Sequence, residues 1–184
     1  MNNKALKTLF VFNGIFVFAS SLLGLLYAIF VSTIDQNVIF ISLSWAVFLL
    51  FSTLFMFVIR KFGDKVKEKE YLLLGGFLVR AIVWFIFPSI TTFSMLIVLQ
   101  IFLGLGEALG TPAYSAIFAE HLDKGKQIQE YTDWSLVSNI VGAIAVVGGG
   151  VLVSTVGFPV LFYLMGTLAM VSFIGILIKP RDLL

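Results

Sequence analysis

FSMLIVLQIFLGLGEALGTPAYSAIFA, residues 93–119, is long and apolar enough to cross a bilayer, yet it carries Gln100, Glu107, Thr111 and Tyr114. Steps of three and four residues put Gln100, Gly104, Glu107, Thr111 and Tyr114 on one helix face, with Ile97, Ile101, Leu105 and Ala108 off it. The reading is a polar stripe along an apolar rod. A carboxylate near the middle of a spanning helix costs at least ~2.5–3.5 kcal/mol if it faces lipid. Glu107 is therefore expected to face a bundle interior or water, and it is the first candidate for function.

Outward from this stretch, the runs 9–31, 38–59, 71–87, 134–156 and 159–178 also meet the spanning length. The chain has 184 residues, 60% of them hydrophobic and 12% charged, well short of the charged fraction of soluble domains. This is the composition of an integral membrane protein in contact with lipid. There is no cysteine, so disulfides, thiolate metal sites and a cysteine nucleophile are excluded. A net charge of +2 is too small to read as nucleic-acid binding. The first run exceeds a signal-peptide core of ~7–15 residues and ends in no small-x-small cleavage site, so it is expected to be a retained helix.

The connections alternate in character. Eleven of the twelve lysines and arginines fall at the N-terminus (Lys4, Lys7), in the loops 60–70 and 120–133, and in the C-terminal tail (Lys179, Arg181). The other three connections have none, and the twelfth basic residue, Arg80, lies inside the third span. The positive-inside rule then puts both termini and both charged loops in the cytoplasm of a cell-membrane protein. Short connections predict antiparallel neighbours.

The expected fold is all-α, one six-helix domain over 1–184, built from two inverted three-helix repeats at about 9–87 and 93–178. The first span repeats the stripe of the fourth in weaker form, with Asn13, Val17, Ser20, Gly24 and Tyr27 on one face; YAIF at 27–30 answers YSAIF at 114–118. The fifth span, with Ser138, Asn139, Gly142 and three consecutive glycines at 148–150, reads as a close-packing helix, as does the Gly106 to Gly110 spacing in the fourth. The bulkier second, third and sixth spans read as lipid-facing.

At ~1.5 Å per residue, Arg80 lies ~13–14 Å in from residue 71 and Glu107 ~20 Å in from residue 120, both near the midplane of a ~30 Å hydrocarbon core. They are expected to pair, either as a permanent bridge fixing helix register or as a pair that takes up a proton or engages an anionic solute. Gln100, Asn13 and Asn139 are candidates for helix-to-helix hydrogen bonding or for lining a pathway, and Tyr27 and Tyr114 for anchoring at the interface or lining a cavity. Pro112 is expected to bend the fourth span. His121 lies in a charged loop, and no serine at membrane depth has an accompanying base, so no enzyme is expected; nor is a cofactor or metal.

These features resemble one six-helix half of the major facilitator superfamily. Gly104 and Gly106 match the glycines of that family's fourth-helix motif, whose arginine position is Gln100 here. RKFGDK, residues 60–65, is similar to its loop motif: Gly63 and the basic residues Arg60, Lys61 and Lys65 are kept, while Arg60 stands at the acidic position. The family's charge latch would then use Asp64 or Glu120. The glycine-proline motif of drug antiporters is missing from the fifth span. The resemblance implies transport of a small solute or ion by alternating access. Because family members usually carry two such halves about an axis along the membrane normal, it also implies a homodimer, a heterodimer with another half, or a fragment of a longer chain. The reading from a different class is a non-transporting assembly or regulatory subunit, which predicts tight packing across the stripes of the first and fourth spans.

Overall fold

A computed structural model describes residues 4–179, with side chains from residue 7 onward; the Lys4 side chain and Arg181, both used above to argue sidedness, lie outside the described residues. The described chain is helical: α1 (Lys4–Leu23), α2 (Leu26–Ile34), α3 (Val38–Phe62), α4 (Glu70–Ile86), α5 (Phe93–Glu120), α6 (Gln127–Val156) and α7 (Phe158–Leu177). Helices α3 to α7 are each long and apolar enough to cross a membrane, and α1 and α2 together make a broken span bent by 51°.

The break corrects the expectation of one continuous first helix. Gly24 has φ +30°, a conformation that side-chain-bearing residues avoid, and a Cβ there would lie 3.0 Å from Ser21 O. The face that carries Asn13 and Ser20 on α1 is therefore not continuous with Tyr27, which belongs to α2. The other boundaries have local causes. Asn37 caps α3 through Ile39 N at 3.0 Å, Thr92 caps α5 through Met95 N at 3.3 Å, and Gly157 at φ +84° turns the chain into α7, whose first turn holds Pro159. Helix α6 begins seven residues before the apolar run at 134, because the polar stretch from Gln127 to Asp133 continues the helix beyond the apolar zone.

The helices pack in the series α3 on α5, α5 on α4, α4 on α7, α7 on α1 and α1 on α6. This places α3 and α6 at the two ends of an arc. Only 11% of their spanning windows is buried, against 44% for α4 and 39% for α7. The third and sixth spans are thus interior helices, contrary to the reading of their bulk as lipid-facing. Their buried rings meet other rings, Phe77 of α4 on Phe16 and Phe162 of α7 on Phe30, while glycines set the close approaches: Gly76 of α4 lies against Gly106 and Gly110 of α5, Gly166 of α7 faces the Phe85 ring of α4, and Gly175 of α7 the Phe12 ring of α1. At the short-loop end Phe30 meets Phe162 edge-on at 4.7 Å, with Phe87 and Phe158 beside them. At the charged-loop end Phe10, Tyr114, Phe118 and Trp134 join α1, α5 and α6.

Of the three consecutive glycines in α6, Gly149 is the one pressed against a neighbour: a Cβ there would fall 2.1 Å from Leu22 O, whereas Gly148 and Gly150 meet nothing within 4 Å. Gly149→Ala is expected to lower stability by about 1–3 kcal/mol through overpacking. Gly148→Ala is expected to leave it unchanged or slightly raised. Thermal unfolding of the two variants in detergent measures the difference.

Candidate functional site

The predicted pairing across α4 and α5 is present. Arg80 Nη2 donates to Glu107 Oε2, with the two side chains 11% and 28% exposed. Glycine makes this possible. A Cβ at position 106 would lie 2.7 Å from Arg80 Cγ, so Gly106 leaves room for the arginine stem beside the acid that follows it. The guanidinium also lies over the Phe16 ring of α1, 4.9 Å from its centroid, and Phe16 stacks on Phe77 and Trp84 of α4. Glu107 Oε1 accepts from Thr111 Oγ1 at 2.6 Å, one turn further along the stripe.

Nearer the short-loop end, Gln100 is 1% exposed and its Nε2 donates to the Tyr27 hydroxyl. That hydroxyl lies 2.6 Å from Ser44 Oγ, which itself donates to Ile41 O at 2.8 Å. Since the serine proton is used on a carbonyl, Tyr27 donates to Ser44 and Gln100 supplies an N–H to Tyr27. This relay joins α2, α3 and α5. It leaves Gln100 Oε1 buried with no partner among the described residues. The Tyr114 hydroxyl is buried beside Asn13, the side chain that hydrogen-bonds it. An unsatisfied buried polar atom costs about 1–3 kcal/mol, so Gln100 Oε1, two turns along α5 from the ion pair, is a signal.

Two clefts flank the pair and share Ser20 and Arg80 in their walls. One, of about 210 Å³, runs toward the short-loop end past Tyr27, Trp45, Trp84, Gln100 and Glu107. The other, of about 250 Å³, runs toward the charged-loop end past Asn13, Thr111, Tyr114, Trp134 and Ser138. Gln100, Glu107, Arg80, Tyr27, Asn13 and Tyr114 are therefore brought to one place. Asn139 is not: it is exposed on α6 and touches neither cleft. Gly104 packs against α3, where a Cβ would lie 2.8 Å from Ser52 N, and Gly110 lies 3.5 Å by the same measure from Gly76 Cα. Trp45, Trp84 and Phe16 were not foreseen; a tryptophan inside a span was the signal for the first two, and nothing marked Phe16 among twenty phenylalanines.

At the charged-loop end, Lys69 Nζ donates to Glu120 Oε1, tying the start of α4 to the end of α5. Lys69 was read only as part of a basic loop; its partner across the helix pair was not specified by the sequence. The hydrogen bond from Lys69 to Glu120 holds the lysine pKa above its ordinary value, helped by the charges of Glu120, Asp64 and Glu70. Arg60, Gly63 and Asp64 line a small cleft with Lys69 and Pro112, while Lys61 is exposed over the Phe57 ring at 5.2 Å. Glu130, the one buried carboxylate of α6, accepts from Asp123 N at 2.9 Å and closes the loop before that helix. Among the described residues no group of acids and histidines is arranged to hold a metal.

Membrane-length helices packed around a buried ion pair, with a cleft on each side of it, define an integral membrane protein. Residues 9–183 match the family model of the Major Facilitator Superfamily, and the chain belongs to that superfamily. It is 26% identical over 158 residues to the "Uncharacterized MFS-type transporter YitZ" of Bacillus subtilis (strain 168), a match spanning 84% of this chain and 94% of that protein. No solved structure matches the chain.

Removing one member of the pair strands the other. Arg80→Met alone is expected to destabilise by roughly 3–5 kcal/mol, and Arg80→Met with Glu107→Met to recover most of that, as read from unfolding of the single and double variants in detergent. For the outer pair, the raised lysine pKa means that its contribution is fully present below the ordinary lysine value of 10.5 and is lost only as pH rises through the raised value. Glu120→Lys is expected to speed proteolytic nicking of residues 60–70, and Lys69→Glu with Glu120→Lys to reverse that, equally at pH values from weakly acid to weakly alkaline.

Proposed function

We propose that the protein is a half-size secondary transporter that carries a small solute across the cell membrane by alternating access. The observation that carries this reading is an ion pair at membrane depth with a cleft on each side of it, each lined in part by polar side chains. A permanent structural bridge needs neither cleft, and it gains nothing from an unsatisfied polar atom at Gln100. Clefts of about 210 and 250 Å³ fall below the size that takes drug-like ligands, which favours a small solute. Glu107 is the protonatable or ion-pairing group and Arg80 its counter-ion and solute hook. Gln100, Tyr27, Asn13 and Tyr114 form the polar wall.

Two inverted repeats fit the packing. Exchanging the first span with α5, α3 with α6 and α4 with α7 turns the packing series into its own reverse, as a two-fold axis in the membrane plane requires. In this arrangement the termini and both charged loops face the cytoplasm, and Arg60, Lys61, Gly63 and Asp64, with the Lys69–Glu120 bridge, latch that side. Gly106 and Gly110 allow the α4–α5 crossing to serve as a rigid unit, and Pro112, inside the unbroken α5, is where that helix would bend during transport. The exposed faces of α3 and α6, at the ends of the arc, are where a second half closes the cavity; a homodimer is the simplest supplier, with Asn139 at that junction. A relative of similar length, matched over 94% of its own chain, supports a unit of this size.

Proteoliposomes offered a defined mixture of amino acids, sugars and organic acids, with and without a pH gradient, test the reading. Enrichment of a solute by the native protein and its loss in a folded Glu107→Gln variant is the expected result. No enrichment under either condition, from particles whose mass is one chain, contradicts it and leaves an assembly subunit.

A further inference from the structure

The chemistry of the cleft toward the short-loop end is more specific than "small solute", and the inference below rests on its being a solute site. Its walls hold three kinds of group: the charges of Arg80 and Glu107, the aromatic rings of Trp45, Trp84 and Tyr27, and Gln100, whose Oε1 has no partner among the described residues. Arg80 and Glu107 neutralise one another, and Arg80 is the more deeply buried of the two.

Charge balance limits what can enter. A monoanion that takes the guanidinium strands Glu107 unless that acid takes up a proton, and a monocation that takes the carboxylate strands Arg80, with Thr111 Oγ1 and the Phe16 face as the remaining support. A solute carrying both charges on one short frame replaces both halves of the pair at once. Beyond the charges, Gln100 and Glu107 are seven residues apart on the same face of α5, about 10.5 Å along the axis. The aromatic walls lie around the cleft between them. A flat apolar body fits that interval, and the acceptor at its far end calls for an N–H or O–H.

We propose that this cleft binds a zwitterion with an aromatic body and a hydrogen-bond donor at its far end: the solute carboxylate on Arg80, its ammonium on Glu107, its ring beside Trp84 and Trp45, and its donor on Gln100 Oε1. No bond is made or broken, and binding exchanges one internal ion pair for two external ones. The relay from Gln100 through Tyr27 to Ser44 holds the amide so that its nitrogen is engaged and its oxygen is the end left for the solute.

The test uses the full chain in detergent and four probes of one shape: L-tyrosine, tyramine without the carboxylate, 3-(4-hydroxyphenyl)propionate without the ammonium, and L-phenylalanine without the donor. Calorimetric titration is expected to rank L-tyrosine first, each of the other three binding at least about tenfold more weakly. Glu107→Gln is expected to abolish the advantage of L-tyrosine over the propionate, with a lowered unfolding temperature because Arg80 is left unpaired; should that variant unfold, Glu107→Asp keeps the charge and is expected to keep the ranking. Any of the three analogues binding as tightly as L-tyrosine, or none of the four binding, overturns the proposal. Failure of transport is read separately: L-tyrosine bound in detergent but not enriched in proteoliposomes sinks the carrier reading alone, and enrichment of a different solute class sinks this proposal alone.

Discussion

Arg80 and Glu107 put two opposite charges where hydrocarbon surrounds the bundle, and the rest of the molecule accommodates them. Either charge alone at that depth would cost several kcal/mol, so each is tolerable only because the other is in reach. Reach requires close helices. The α4–α5 crossing is made of Gly76, Gly106 and Gly110, and Gly106 is also the gap through which the arginine stem passes. Phe16 then covers the guanidinium from α1, so one interaction ties three helices together.

The pair also divides the interior. On the short-loop side, the break at Gly24 lets α2 lean so that Tyr27 reaches Gln100 and Ser44 together. On the charged-loop side, Asn13, Tyr114 and Trp134 line a second cleft that the arginine also borders. A helix that stayed straight through residue 24 would keep Tyr27 on the α1 axis, and the relay would lose its middle member. Function and packing therefore meet at the same few residues: Gln100, whose Oε1 is left unsatisfied, and Tyr114, beside Asn13, stand on opposite sides of the bridge.

Much of this was legible in the sequence because hydropathy over a spanning length is a strong signal and depth along a helix is simple arithmetic. The span count, the short connections and the meeting of Arg80 with Glu107 follow from those two facts. Which helices are interior did not. Lipid and protein core are equally apolar, so Phe77 of α4 and Phe162 of α7 gave no sign of facing inward, and their partners, Phe16 and Phe30, look like any other phenylalanine in the chain. The fracture at Gly24 was invisible because one glycine in an apolar run is ordinary in membrane helices. Glu120 was recognised as a latch candidate, but its partner among five basic residues of the loop 60–70 depended on where α4 begins. Asn139 shares its composition with the polar wall and yet is exposed, because α6 turns that face away from the clefts.

The account stands on the ion pair facing clefts that water reaches from each side in turn, and the absence of native cysteine makes this directly measurable. Ser20 borders both clefts, and Ser20→Cys in sealed vesicles can be challenged with a membrane-impermeant thiol reagent from outside and from inside. Labelling from both sides, with solute shifting the balance between them, is the result predicted. A thiol that reacts from neither side, or from one side only under every condition, would mean a sealed bridge and contradict it.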